Sequence, residues 1–150
     1  MKKLTLLLLS VFALTAVAQV TTVPAIIQKG YDGEITIIFN PNEGNKGMAG
    51  ATKCYAHTGL ITSASSSDGD WKHVVEGWRS NTAKTQLTKD GTNWKLVIPN
   101  IYEYYKCPTT TEIKKIAFVF HDGAGGSKEG KTEDGKDIFV ELADKGLAVS

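Results

Sequence analysis

Short apolar runs separated by glycine-rich and asparagine-rich turns constrain the fold of this chain more than any other feature. All fifteen glycines lie beyond residue 29, and no run between them has the length and 3.6-residue period of an amphipathic helix. This pattern argues against a parallel α/β fold, which needs such helices between its strands. The pattern predicts strands at residues 24–28, 34–39, 53–62, 71–75, 85–88, 93–98, 113–120 and 137–142.

Two local signals refine this prediction. Asp90 and Gly91 lie between two of the runs, and glycine tolerates the positive φ that a tight hairpin turn requires. Asn100 follows Pro99 and precedes Glu103 by three residues, a spacing typical of a helix N-terminus. We therefore expect a β-hairpin at 85–98 and a single helical turn through Tyr104 and Tyr105.

Seven to eight short strands at this spacing predict an all-β fold, an immunoglobulin-like antiparallel β-sandwich. A chain of 150 residues is long enough for one such domain, which we place at residues 19–150 with its core at 24–142. We expect a monomer. Alternation along the strands predicts a core built from Ile37, Phe39, Trp94, Leu96, Phe118, Phe120 and Val140.

The first eighteen residues have the pattern of a secretory signal peptide. Lys2 and Lys3 precede an apolar stretch at 4–14, which is too short to span a bilayer comfortably, and Ala16-Val17-Ala18 supplies a small-x-small cleavage site. We predict cleavage after Ala18 and a secreted or periplasmic protein. No later segment is long and apolar enough to suggest a membrane partner.

Cys54 and Cys107 would then lie in an oxidising compartment, where disulfides persist. A bond between them would close a 53-residue loop, which is worth about 4 kcal/mol in the chain-entropy model. The alternative is two separate buried thiols, and sequence spacing alone does not decide between them. No Cys-x-x-Cys pair or Cys/His cluster suggests a metal site.

No catalytic motif is found, so we expect a protein that is not an enzyme and needs no cofactor. Gly125-Gly126-Ser127-Lys128-Glu129 lacks the last glycine of a nucleophile elbow and lies in a predicted loop. Asp122, Asp134 and Asp137 flank that loop, where calcium could find oxygen ligands, but their spacing does not match the EF-hand pattern. The net charge of +1 argues against a nucleic-acid partner.

The aromatic residues carry the strongest functional signal. His57, Trp71 and Trp78 lie in or beside polar segments, whereas Trp94 begins an alternating strand and is assigned to the core. An indole face can stack on the C–H face of a pyranose ring while polar groups bind its hydroxyls, and recognition sites commonly combine apolar rings with a few polar groups. The alternative for each of the three is structural packing. We assign no role to the other two histidines.

Six ordered motifs carry a resemblance to a known family. They resemble the immunoglobulin-like accessory domain of secreted bacterial alpha-amylases of glycoside hydrolase family 13, and they cover about residues 24–142. The motifs are CYAHTGLIT at 54–62, DWKHV at 70–74, NWKL at 93–96, IAFVFHDG at 116–123, SKEG at 127–130 and DIFV at 137–140.

The motif order is also similar to that of starch-binding modules of carbohydrate-binding module family 25. In those modules a His-x-Gly turn and a following tryptophan contact glucose units, and His57, Gly59 and Trp71 match these positions. The resemblance implies an α-glucan partner, a polysaccharide or oligosaccharide, and an adjoining catalytic amylase domain. One departure is that the glycine-rich loop at 124–128 replaces the family's Trp-Asp-Asn-Asn motif.

Two functions therefore compete. The chain is expected to be either a non-catalytic module that binds α-glucan or a structural spacer that packs on a catalytic partner without binding sugar. Exposure of His57 and Trp71 on one face would favour the first function. Burial of both beneath loops would favour the second.

Overall fold

The computed structural model describes residues 18–146, in which two antiparallel four-stranded sheets pack face to face. The first sheet has the order β1-β2-β5-β4. In the second sheet, β3 pairs with one edge of β6. The other edge of β6 pairs first with β8 and, further along β6, with β7. The strands are β1 Val20–Val23, β2 Ile35–Phe39, β3 Tyr55–Thr62, β4 Thr88–Asp90, β5 Asn93–Ile98, β6 Ile113–His121, β7 Glu129–Gly130 and β8 Ile138–Glu141.

The predicted all-β class is confirmed, and so is the predicted core. Six of its seven residues are buried, and Val140 is partly buried against them. The Phe39 ring from the first sheet stacks on Phe120 from the second, with 4.0 Å between centroids, and Phe120 lies 5.4 Å from Phe118. These rings join the inner faces of both sheets.

The two local signals are also confirmed. Asp90 pairs with Asn93 across the β4–β5 turn, where Gly91 has a φ of 61°. Helix α1 spans Ile101–Tyr104, and the Asn100 side chain accepts hydrogen bonds from the Tyr102 and Glu103 backbone amides. Both features depend on a few neighbouring residues, which is why a short stretch of sequence predicts them.

Three strand predictions are wrong. The first strand precedes Pro24 and does not begin there, because proline has no N–H with which to extend the ladder. Residues 85–88 give way to a 3₁₀ turn at Ala83–Thr85, so that β4 starts at Thr88. Residues 71–75 form no strand, and only Lys72 makes a bridge, to Leu60.

Cys54 and Cys107 are both buried and free, so the structure has the second of the two alternatives, separate thiols. Burial raises the pKa of the Cys54 thiol well above its ordinary value, which keeps it protonated. No helix within residues 18–146 is long and apolar enough to cross a membrane. The predicted signal peptide lies outside the described residues except for Ala18.

Candidate functional site

The pleat of β3 places His57 on the outer face of the second sheet. Ala56, Thr58 and Leu60 are buried toward the inside, and His57 points the other way and is half-buried. Its partner across the sheet is Val119 on β6. The register of β6 with β8 continues this row to Asp137, because Phe118 pairs with Ile138.

A long segment, residues 63–82, pairs along the edge of β3 opposite β6 and carries two tryptophans to this outer face. Its backbone is anchored to β3 by two hydrogen bonds of 2.7 Å between Lys72 and Leu60 and by one of 3.0 Å from Val75 N–H to the Thr58 carbonyl. Gly59 permits this approach. A Cβ there would lie 3.0 Å from a Val74 methyl and 3.3 Å from the Trp71 Cβ. The glycine of the predicted motif therefore lets the tryptophan-bearing segment pack on the sheet.

This segment places one tryptophan on either side of His57. The Trp71 ring stacks on the imidazole with 5.3 Å between centroids, and the Trp78 ring meets it edge-on at 5.2 Å. Trp78 is 49% exposed, and Trp71 and His57 are half-buried. All three predicted site residues are thus brought together on one accessible surface.

An open hollow of about 410 Å³ lies beside this aromatic cluster, and we call it the first hollow. It is lined by His57, Gly69, Asp70, Trp71, Val74, Val119 and Asp137. The Asp70 carboxylate accepts the Ser66 amide and pairs with Lys72 at 3.2 Å, and both contacts hold its pKa below the ordinary value. Apolar ring faces and two carboxylates therefore converge on one cavity.

Arg79 holds the second tryptophan in position. Its guanidinium lies 5.4 Å from the Trp78 ring centroid and donates to Asp122 Oδ1 at 2.8 Å and to the Gly123 and Lys128 carbonyls. The Asn81 side chain also accepts a hydrogen bond from the Ala124 amide. The glycine-rich loop therefore contributes no aromatic ring, but it anchors the segment that carries Trp78.

His121 is a residue that the sequence did not assign to the cluster. It is 1% exposed, and its ring centroid lies 5.3 Å from Trp78 and 5.7 Å from Tyr55. Its Nδ1 accepts the Gly123 amide, which suits a neutral ring protonated on Nε2. Burial, with Arg79 nearby, lowers the pKa of His121 to about 4.

This burial predicts a pH-dependent stability. The folded pKa of His121 lies below its ordinary value of 6.5, so the unfolded chain binds the extra proton between these pH values. The contribution of His121 to the free energy of unfolding is fully present above pH 6.5. It falls by about 2–3 kcal/mol as the pH drops toward 4. His121→Asn keeps an acceptor for Gly123 but cannot titrate.

Urea denaturation at pH 7 and pH 4 measures the effect. Burial also lowers the pKa of His57. This shift also reduces the free energy of unfolding at acidic pH, but by the same amount in the parent and in His121→Asn. The parent should therefore lose about 2–3 kcal/mol more than His121→Asn over this interval. Equal losses in the two proteins would contradict the assignment of His121 as a buried neutral residue.

The three aspartates that flank the glycine-rich loop have different surroundings. Asp122 pairs with Arg79, Asp134 accepts from Thr132, and Asp137 lines the first hollow. Within the described part of the chain, no group of three or more His, Cys, Asp or Glu side chains could hold a metal ion.

Comparison with known proteins adds no assignment: no protein-family model matches the chain, and no curated protein matches it.

Proposed function

We propose that this chain is a non-catalytic carbohydrate-binding module for α-glucan, built as an immunoglobulin-like β-sandwich and serving as an accessory domain of an amylase-type enzyme. One observation carries the proposal. His57 lies between Trp71 and Trp78 beside an open hollow with two carboxylates. The resemblance to starch-binding modules supports the choice of starch or maltooligosaccharide as the ligand.

The arrangement suits a neutral sugar. A pyranose packs its C–H face on the Trp71 indole, and its hydroxyls bond to the His57 imidazole and to nearby carboxylates. Trp78 offers a second ring at 49% exposure. A flexible glycan loses conformational freedom on binding, so we expect a dissociation constant on the order of 0.1–1 mM, about −4 to −5.5 kcal/mol.

The same contacts support a binding role over a catalytic one. Asp70 in the first hollow is already held by Ser66 and Lys72. Among residues 18–146, no hydroxyl or thiol is hydrogen-bonded to a histidine, an arrangement that typically activates a nucleophile. We therefore assign substrate binding to this chain and the chemistry of glucan cleavage to the partner domain.

Electrophoresis of the purified protein in a native gel containing soluble starch tests the proposal. We expect retardation relative to a gel without starch, and titration with maltooligosaccharides should give a constant in the stated range. Absence of retardation, together with absence of binding at millimolar oligosaccharide, would overturn it.

One observation favours the second candidate function, a spacer that packs on a catalytic partner. Val23 and Ile26 are 58% and 49% exposed on either side of Pro24, away from the aromatic cluster. Apolar side chains at such exposure can be covered by a neighbouring domain. The spacer function stands if the starch experiments fail, because it requires no sugar contact.

Export is part of the proposal, and it has its own test. The charged start, the short apolar stretch and the Ala-x-Ala site predict a mature protein beginning at Gln19. N-terminal sequencing or intact-mass measurement of the exported protein determines the cleavage point. A mature form that retains residues 4–14 would show that the leader prediction is wrong.

A further inference from the structure

A second hollow adjoins the first on the outer face of the second sheet. It measures about 350 Å³ and is lined by Asp68, Gly69, Lys136, Asp137 and Phe139. Gly69 and Asp137 line both hollows, so the two form one groove. The groove runs from the Trp71–His57 pair toward strand β8.

A row of paired residues across the sheet leads to the aromatic ring at the far end of this groove. Phe139 pairs with Ala117 on β6, and Ala117 pairs with Gly59 on β3. Ile138 points into the core, so Phe139 is on the outer face, where it is half-buried. Lys115 Nζ lies 5.2 Å from its ring centroid. Phe139 therefore stands at the β8 edge of the sheet as an aromatic wall.

The carboxylates of the groove differ in how they are engaged. Asp68 pairs with Lys115 at 3.0 Å, and Asp70 pairs with Lys72 at 3.2 Å. The Asp137 side chain has no ion pair or hydrogen bond within residues 18–146. Its oxygens can therefore accept hydrogen bonds from a ligand in either hollow.

We propose that Asp137 and Phe139 form a second sugar subsite, and that the groove binds one neutral, linear α-glucan across both hollows. This inference rests on the proposed function, because it extends the site of Trp71 and His57. His57 and Asp137 lie two strands apart, about 9–10 Å across the sheet. A sugar ring stacked on Trp71 and a sugar ring stacked on Phe139 are therefore different units of one glucan chain.

The charges of the groove favour a neutral ligand over an acidic one. Three carboxylates and one lysine line the combined groove. The lysines that pair with Asp68 and Asp70 are neutralised by these two ion pairs. A uronic acid or sulfated sugar would place a like charge beside Asp137. Hydroxyl groups, in contrast, donate to that carboxylate.

Chain-length dependence of binding tests the inference. We compare maltose with maltohexaose by calorimetry, using the parent, Phe139→Ala and Asp137→Asn. Val97→Ala, an exposed position on the opposite sheet, and Asp134→Asn, a carboxylate outside both hollows, are matched controls. Circular dichroism establishes that each variant is folded.

The parent and both controls should bind maltohexaose about tenfold or more tightly than maltose. Phe139→Ala should lose most of that ratio, with a change in maltose affinity of less than about twofold. Asp137→Asn should weaken maltohexaose binding more than maltose binding, and both should weaken, because Asp137 lines both hollows. A parent that binds both sugars equally, or a folded Phe139→Ala protein that keeps the full ratio, would overturn the second subsite alone. A parent that binds neither sugar would overturn the proposed function as well.

Discussion

Replacement of Trp71 by alanine should abolish detectable binding of starch and maltooligosaccharides while leaving the fold intact. The indole stacks on His57 and lines the first hollow, which Trp78 does not, so its removal takes away the aromatic surface that this hollow offers to a sugar. We expect a loss of about 2 kcal/mol or more, as for a central tryptophan at an interface. For a parent that binds at 0.1–1 mM, this loss corresponds to about thirtyfold weaker binding.

Two features should keep the Trp71→Ala protein folded. Lys72 and Leu60 hold the segment through backbone hydrogen bonds, which do not depend on the indole. Trp71 also lies outside the buried core. Circular dichroism provides the fold control, and Val97→Ala provides the binding control. A folded Trp71→Ala protein that is retarded by starch like the parent would refute the assignment of Trp71.

Trp78→Ala separates the two rings of the cluster. Trp78 is 49% exposed and contacts His57, His121 and Arg79. Because Trp78 is a second platform, its removal should weaken binding less than the removal of Trp71, by about 1 kcal/mol. The same starch gel and calorimetric titration measure it. A Trp78→Ala protein with unchanged affinity would leave Trp71 as the stacking surface and assign Trp78 to packing.

Replacement of Phe118 by alanine should cost about 3–5 kcal/mol of the free energy of unfolding. Phe118 is fully buried, and its ring lies 5.4 Å from Phe120, which stacks on Phe39 of the opposite sheet. Removing it loses buried apolar area and leaves a cavity between the sheets. Urea denaturation at pH 7 measures the difference.

Val97→Ala is the matched control for this experiment as well. Val97 is exposed on β5, so its truncation should change the free energy of unfolding by less than about 1 kcal/mol. A loss of under about 1 kcal/mol for Phe118→Ala would instead show that Phe118 does not belong to the shared core.

Local features of the fold were predictable because they depend on a few neighbouring residues. The Asp90-Gly91 turn and the Asn100 cap each involve contacts within about four residues. The error at residues 24–28 has the same origin, because Ile26 and Ile27 satisfy a strand pattern, whereas within residues 18–146 this segment makes one isolated bridge, from Gln28 to Ala143. Pairing is a property of two segments, and one segment's pattern does not show it.

Candidate site residues divide in the same way. His57, Trp71 and Trp78 were found by residue type and by their polar surroundings. Arg79 and His121 were missed, because their significance comes from contacts with Asp122, Gly123 and Trp78. Arg79 and Asp122 are 43 positions apart along the chain. No local signal could have linked them.

The sequence by itself determined the all-β class and the inward-facing side chains, since alternation along a strand assigns Phe39, Leu96 and Phe118 to one face whatever the strand's neighbours are. Only the tertiary structure decided which outward-facing side chains meet. The β3–β6–β8 register sets His57, Val119 and Asp137 in one row, and residues 63–82 then add Trp71 and Trp78. The physical reason is that strand register and the path of residues 63–82 are set by the packing of distant segments, and a one-residue slip would carry His57 to the opposite face.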